Sequence, residues 1–117
     1  MIDERAVYII SVAARLVEMD ASTLRKYERL GFLKPSRTGG NLRLYSADDI
    51  MRLRQIKYLV DDRGLNLGGV ELALELTERL HRLQSNLGLK VYEASELRRL
   101  LFDEIDELLH LLGTESE

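Results

Sequence analysis

Six basic side chains, Arg25, Lys26, Arg29, Lys34, Arg37 and Arg43, fall within residues 20–46 against only two acids, Asp20 and Glu28. Guanidinium and ammonium groups at this density make a local positive field, the chemistry that meets phosphate. The chain as a whole runs the other way, with a net charge of −3 over 117 residues. Residues 1–64 hold twelve Lys/Arg and nine Asp/Glu, while residues 65–117 hold five and eleven. The first half is therefore suited to a polyanion, and the acidic second half is suited to protein.

Other chemistries find little support. Cysteine is absent, which removes disulfides, thiolate metal sites and cysteine nucleophiles. His81 and His110 stand 29 positions apart with no third ligand at metal spacing, so no metal is expected. Asp48 and Asp49 read as helix-start charges near a positive dipole end rather than as catalytic carboxylates. Gly39 and Gly40 lack the following Lys-Ser/Thr and helix of a phosphate loop, and no nucleophile is paired with a base. An enzyme and a cofactor are not expected. No run approaches the roughly 18 apolar residues of a membrane span, and "MIDERAVYII" has no basic region followed by an apolar stretch. The expected location is cytoplasmic, with no membrane partner.

The elements that must carry the basic residues are short helices cut by "LGFLKP", "RTGGN", "DRGLN" and "NLG". With 45% hydrophobic residues, the chain can bury one modest core. "SVAARLVEMD" places Val12, Ala13, Leu16 and Val17 at helical spacing behind Ser11 as N-cap. Asp20 caps a second helix that runs to Gly31, with Leu24 and Tyr27 inward and Ser22, Arg25, Lys26 and Arg29 outward or flanking. Two short helices across a tight turn make a helix-turn-helix. "FLKP" and "LRLY" around Gly39-Gly40 predict a two-stranded wing. Ser46 to Asp49 form a capping-box variant opening a helix through Ile50, Leu53, Ile56 and Leu59. Asn66 caps another helix, expected to fray near Asn86 to Gly88.

From Ser95 the apolar residues Leu97, Leu101, Ile105, Leu108 and Leu112 recur at steps of four and three along a helix of about 27 Å, at roughly 1.5 Å per residue. A fully buried leucine contributes roughly 1.5–3 kcal/mol, so this stripe needs a partner. The partner is either the chain's own core or, as the favoured arrangement, the same helix of a second copy in a short coiled coil. The expected organisation is a mainly α fold, with a winged helix-turn-helix DNA-binding domain over residues 1–80. A linker and C-terminal dimerisation helix then occupy 81–117.

The order of these elements, and the segments "IISVAAR", "STLRKYERLGFLKP", "GNLRLYS", "DDIMRLRQIKYL" and "GLNLGGVELALEL", resemble the MerR family of bacterial transcription regulators over roughly residues 7–78. "ISVAA" and "RGLNLGGVELALEL" are most similar to its heat-shock repressor (HspR-like) branch. The resemblance implies a homodimer on inverted-repeat operators that represses chaperone operons, with the chaperone DnaK as corepressor in some members. It also implies DNA contacts. Arg15 matches the family's basic position on the first helix, Arg25 and Tyr27 the "R-x-Y" of its recognition helix, and Arg43 and Tyr45 the "R-x-Y" of its wing. With Ser22, Thr23, Lys26, Arg37 and Lys57, these are the candidate DNA-binding residues.

Arg25 can fork onto guanine O6 and N7 or onto a phosphate, and one sequence leaves both open. Arg43 can follow the backbone or enter a minor groove. Tyr27 and Tyr45 can each pack a ring inward and offer a hydroxyl to phosphate. Two departures from the family pattern matter. Lys26 stands where many members have a tyrosine, and the 39 residues after Glu78 contain neither the cysteines of metal sensors nor room for a ligand-binding domain. Competing expectations are an excisionase-like architectural DNA-binding factor, which needs no long dimer helix, and a protein-interaction adaptor whose basic helix meets an acidic partner.

Overall fold

The computed structural model describes residues 6–90 and 95–114. In chain order the elements are β1 (Ala6–Ile9), α1 (Ile10–Val17), α2 (Ala21–Arg29), β2 (Ser36–Arg37), β3 (Arg43–Ser46) and α3 (Ala47–Lys57). A π turn (Tyr58–Asp62), α4 (Leu67–Lys90) and α5 (Ser95–Leu111) follow. Two compact units result, Met1–Lys57 and Tyr58–Glu117. The expected boundary after residue 80 falls inside α4, and residues 91–94 of the expected linker lie outside the described residues.

In the first unit, α1 and α2 are joined by Glu18, Met19 and Asp20 alone. Ser11 does not cap α1. The helix starts two residues earlier, with Ile9 in the cap position, because the chain leaves β1 directly into the helix. Asp20 does hold the cap position of α2, but its backbone carbonyl opens the helix, accepting from the amides of Thr23 (2.9 Å) and Leu24 (3.2 Å). Its side chain makes no capping bond.

Both helices close in the same way. At the end of α2, Gly31 takes a left-handed φ of +82°, its amide donates to Glu28 O and the Phe32 amide donates to Tyr27 O, each at 3.0 Å. This closure satisfies carbonyls that the helix would otherwise leave unpaired, and it brings the residue after the glycine back onto the last turn. Phe32 accordingly stacks on Tyr27, ring centroids 5.8 Å apart. At the end of α1 the left-handed position is filled by Glu18 (φ +56°), with Met19 N bonded to Ala14 O.

The wing belongs to a three-stranded antiparallel sheet in the order β1-β3-β2. Two points differ from the expectation. The first wing strand is Ser36–Arg37 rather than "FLKP", because Phe32 and Leu33 are drawn into the core behind α2. The third strand, β1, comes from the N-terminal "AVYI", whose short apolar run is too brief to reveal its period. Tyr8 opposes Tyr45 and Ile9 opposes Leu44. The Ser46–Asp49 capping box forms as expected, each side chain accepting from the other's amide (2.9 and 3.1 Å). It launches α3 so that Ile50, Leu53 and Ile56 are buried. These side chains join Ala13, Val17, Leu24, Tyr27 and Tyr45 in the core, with α3 against α1 and β3.

In the second unit Asn66 Oδ1 accepts from the Gly69 amide at 2.8 Å, capping α4. That helix continues through Asn86 and Gly88 to Lys90 without the expected fraying. Val70, Ala73, Leu74 and Thr77 of α4 are buried, as are Ile105 and Leu109 of α5. The two helices touch, and Gln84 Nε2 donates to Asp106 Oδ1 at 3.0 Å. At the end of α5, Gly113 has φ +91°, and a Cβ there would lie 2.5 Å from Tyr58 Cδ2. No described helix is long and apolar enough to cross a membrane.

The two glycines differ in a measurable way. Open space surrounds the Cβ position of Gly31, so Gly31→Ala costs only the left-handed backbone, about 1 kcal/mol. Gly113→Ala adds a collision with the Tyr58 ring and destabilises more. Urea unfolding of both variants is expected to give that order.

Candidate nucleic-acid interface

Burial of Leu24 and Tyr27, at 0% and 7% exposure, fixes the rotation of α2 about its own axis. Ser22, Arg25, Lys26 and Arg29 follow at steps of three, four and seven from residue 22, and such residues share a helix face. Ser22, Lys26 and Arg29 are exposed, while Thr23 and Arg25 are half-buried. Arg15 of α1 is exposed as well. The structure therefore presents a basic, polar face on the second helix of the helix-turn-helix, of a size that a major groove admits.

Electrostatics set the arrangement of the wing. Arg37 of β2 lies directly opposite Arg43 of β3. Like charges facing each other across an antiparallel pair are destabilising unless an anion intervenes. Glu28 of α2 supplies it: Arg37 Nη2 donates to Oε2 and Arg43 Nε to Oε1, both at 2.5 Å. The three side chains are only 20–32% exposed, so their attraction is weakly screened compared with a surface pair. Arg37 Nη1 also donates to Asn41 O at 3.3 Å, reaching the tip of the wing. There Asn41 adopts φ +67°, and Thr38 Oγ1 accepts from the Leu42 amide at 3.0 Å. One carboxylate thus ties α2 to both wing strands.

Burial pushes the Glu28 carboxyl upward, but hydrogen bonds from Arg43 and Arg37 and the charges of both outweigh it and hold the carboxyl below its ordinary 4.5. Sequence reading missed this residue, although a signal was present, since Glu28 is the single acid between Asp20 and Asp48.

Two candidates have partners or burial within the fold itself. Tyr45 is wholly buried, its hydroxyl has no hydrogen-bond partner among the described residues, and burial followed by the nearby Glu28 charge pushes its pKa up. The ring is a core residue, because a central strand turns alternate side chains inward. Lys57 is committed elsewhere: Nζ donates to Val17 O (3.3 Å) and Glu18 O (3.2 Å), at the C-terminus of α1. A cation there complements the helix dipole and bonds two orphan carbonyls. Arg52 was also missed; its Nε donates to Phe32 O at 2.6 Å, holding the link between α2 and the wing onto α3. Tyr27 keeps its ring in the core through the Phe32 stack.

Two outcomes are expected from these placements. A carboxyl with a lowered folded pKa contributes stability above its unfolded value, and that contribution disappears as pH falls through the folded one. Wild type is therefore more stable than Glu28→Gln at pH 7, and the gap closes below about pH 4.5 in urea titrations of the two proteins. Tyr45→Phe removes an unpaired buried hydroxyl, so its unfolding free energy is expected within about 0.5 kcal/mol of wild type or higher. A loss beyond 1 kcal/mol would reveal a bond that the geometry does not contain.

Known proteins are similar to this chain. Residues 8–77, more than half the chain, match the pattern described as MerR HTH family regulatory protein. A Streptomyces coelicolor protein that bears the name heat shock protein HspR is 46% identical over 83 residues, which is 71% of this chain and 55% of that one. The present chain thus spans about half of that relative. The transcriptional regulator GlnR of Bacillus anthracis is 34% identical over 97 residues, 82% of this chain and 74% of its own. Among solved structures, a MerR family regulator from Bacillus cereus gives a TM-score of 0.50 at 26% identity, over 89% of this chain and 68% of that chain. HiNmlR, a MerR family regulator lacking the sensor domain and bound to promoter DNA, gives 0.55 at 22% identity, over 89% and 70%, a likeness of fold. A basic helix-turn-helix, a wing beside it and a sequence match across both lead to one conclusion: the chain belongs to the MerR family of helix-turn-helix transcriptional regulators.

Proposed function

We propose that this regulator binds double-stranded DNA sequence-specifically as a homodimer on an inverted-repeat operator and represses chaperone genes, with DnaK as candidate corepressor. The observation that carries the DNA reading is the shared basic face of α2, Ser22, Arg25, Lys26 and Arg29, with Arg37 and Arg43 tied beside it in the same unit. Arg25 and Lys26 address the major groove, Arg15 and Thr23 support them, and the wing arginines meet backbone or minor groove. Similarity to a heat shock protein HspR at 46% identity supports the choice of target genes.

The dimer reading rests on the second unit. Leu97, Leu101 and Leu108 of α5 are 40–59% exposed, together with Leu100 and Leu111, and α4 exposes Leu72, Leu76 and Leu83. Eight leucines left 40–67% exposed forfeit a share of the roughly 1.5–3 kcal/mol that full burial of each would give, and a second copy of the same helices recovers it. Of the expected seam, Ile105 is already covered within the chain and Leu112 is half-buried, so the proposed contact runs through Leu97, Leu101 and Leu108. Residues 1–80 then carry DNA binding and 81–117 most of the pairing, with Leu72 and Leu76 of α4 at its edge.

The test is a titration of the chaperone-operon upstream region against a scrambled duplex at two salt concentrations, with and without DnaK. Specific repression predicts a preference of about a hundredfold or more for the operon DNA, with a salt slope of about −0.9 for each phosphate neutralised. Equal weak binding to both duplexes would sink the operator assignment. Leu101→Glu with Leu108→Glu is expected to lower dimer mass in sedimentation and operator affinity together, because two half-sites are no longer tethered.

A further inference from the structure

We propose that Glu28 is a positioning residue for DNA recognition, holding the α2 face and the wing arginines Arg37 and Arg43 at one fixed spacing so that helix and wing meet the duplex as a single piece. This rests on the DNA-binding reading above. An acid inside a patch that grips a polyanion lowers gross affinity, since it repels phosphate and cancels part of the field of two guanidiniums. Its two oxygens are nonetheless spent separately, one on each wing strand, and the Arg37 side chain carries the link onward to Asn41 at the tip. Geometry is what this arrangement gains. With Nε on Glu28, Arg43 keeps its terminal amines clear of other hydrogen bonds among the described residues and aimed by a bond that fixes the rest of the side chain.

Phosphate contacts set register and base contacts set sequence, so fixing the distance between them raises discrimination between sites rather than attraction to DNA in general. An acid that only tuned charge would do the reverse: its removal would tighten binding to every sequence alike.

The experiment uses the full chain and a duplex recovered by selection from random DNA with the wild-type protein, alongside its scrambled version. Wild-type preference for the selected duplex tests the DNA-binding reading by itself; without that preference both proposals fail. Given the preference, Glu28→Gln and Glu28→Asp are compared, the second keeping the negative charge while shortening the reach by one methylene. Circular dichroism melts identify the variants that are folded at the assay temperature. The expected result is a fall of about tenfold in the ratio of selected to scrambled affinity for both variants, while affinity for the scrambled duplex holds or rises. A ratio preserved within about twofold in either folded variant overturns the proposal, and preservation in Glu28→Asp alone assigns Glu28 a role of charge without geometry. Arg43→Lys, which keeps charge but loses the Nε bond, is the second probe if Glu28→Asp does not fold. It is expected to lose the same discrimination, and an unchanged ratio overturns the proposal equally.

Discussion

Two arginines facing each other across a two-residue strand are an unstable arrangement, and the first unit is organised around its resolution. The carboxylate that resolves it comes from α2, so the sheet and the helix cannot be placed independently. Once Glu28 sits between Arg37 and Arg43, the wing has a fixed distance from the helix that carries Arg25 and Lys26. The Tyr27 to Phe32 stack, one residue away along α2, fixes the same helix from the core. The basic face is thus held by apolar packing inside and by ion pairing at its edge.

Helix ends provide the second organising device. Left-handed residues close α1, α2 and α5, at Glu18, Gly31 and Gly113, and each closure returns the chain toward the helix it has just left. That is how eight- and nine-residue helices, too short to persist alone in water, are cut and turned into a tight motif. The one closure without glycine, at Glu18, is the one where Lys57 reaches in from α3 to bond the exposed carbonyls. A basic residue that reads as a DNA contact in sequence is there a tether between helices.

In the second unit the apolar side chains divide between two tasks. Ile105 and Leu109 of α5, with Val70, Ala73, Leu74 and Thr77 of α4, are buried within the chain, while leucines elsewhere on both helices stay in solvent. A single apolar stripe therefore understates α5, which has a covered side and an open one. The regular spacing Leu97, Leu101, Ile105, Leu108 and Leu112 mixes residues from both sides, since a repeat of three and four drifts around a helix of 3.6 residues per turn.

Local rules written into the sequence determined the succession of helices, the helix-turn-helix, the capping box at Ser46 and Asp49, the cap at Asn66 and the closing glycine at Gly31. Each depends on residues a few positions apart, and the basic cluster of residues 20–46 is a matter of composition. The family segments were legible for the same reason. Tertiary structure alone decided which charges are spent and which remain for a ligand: Glu28 meets partners 9 and 15 residues away, Lys57 meets carbonyls 39 and 40 residues away, and Tyr45 disappears into the core. Strand β1 was likewise invisible, because a four-residue apolar run becomes a strand only when β3 offers it hydrogen bonds. Charge and hydrogen bonding act through space between groups that the chain order keeps apart, so their pairing exists only once the backbone has brought them together.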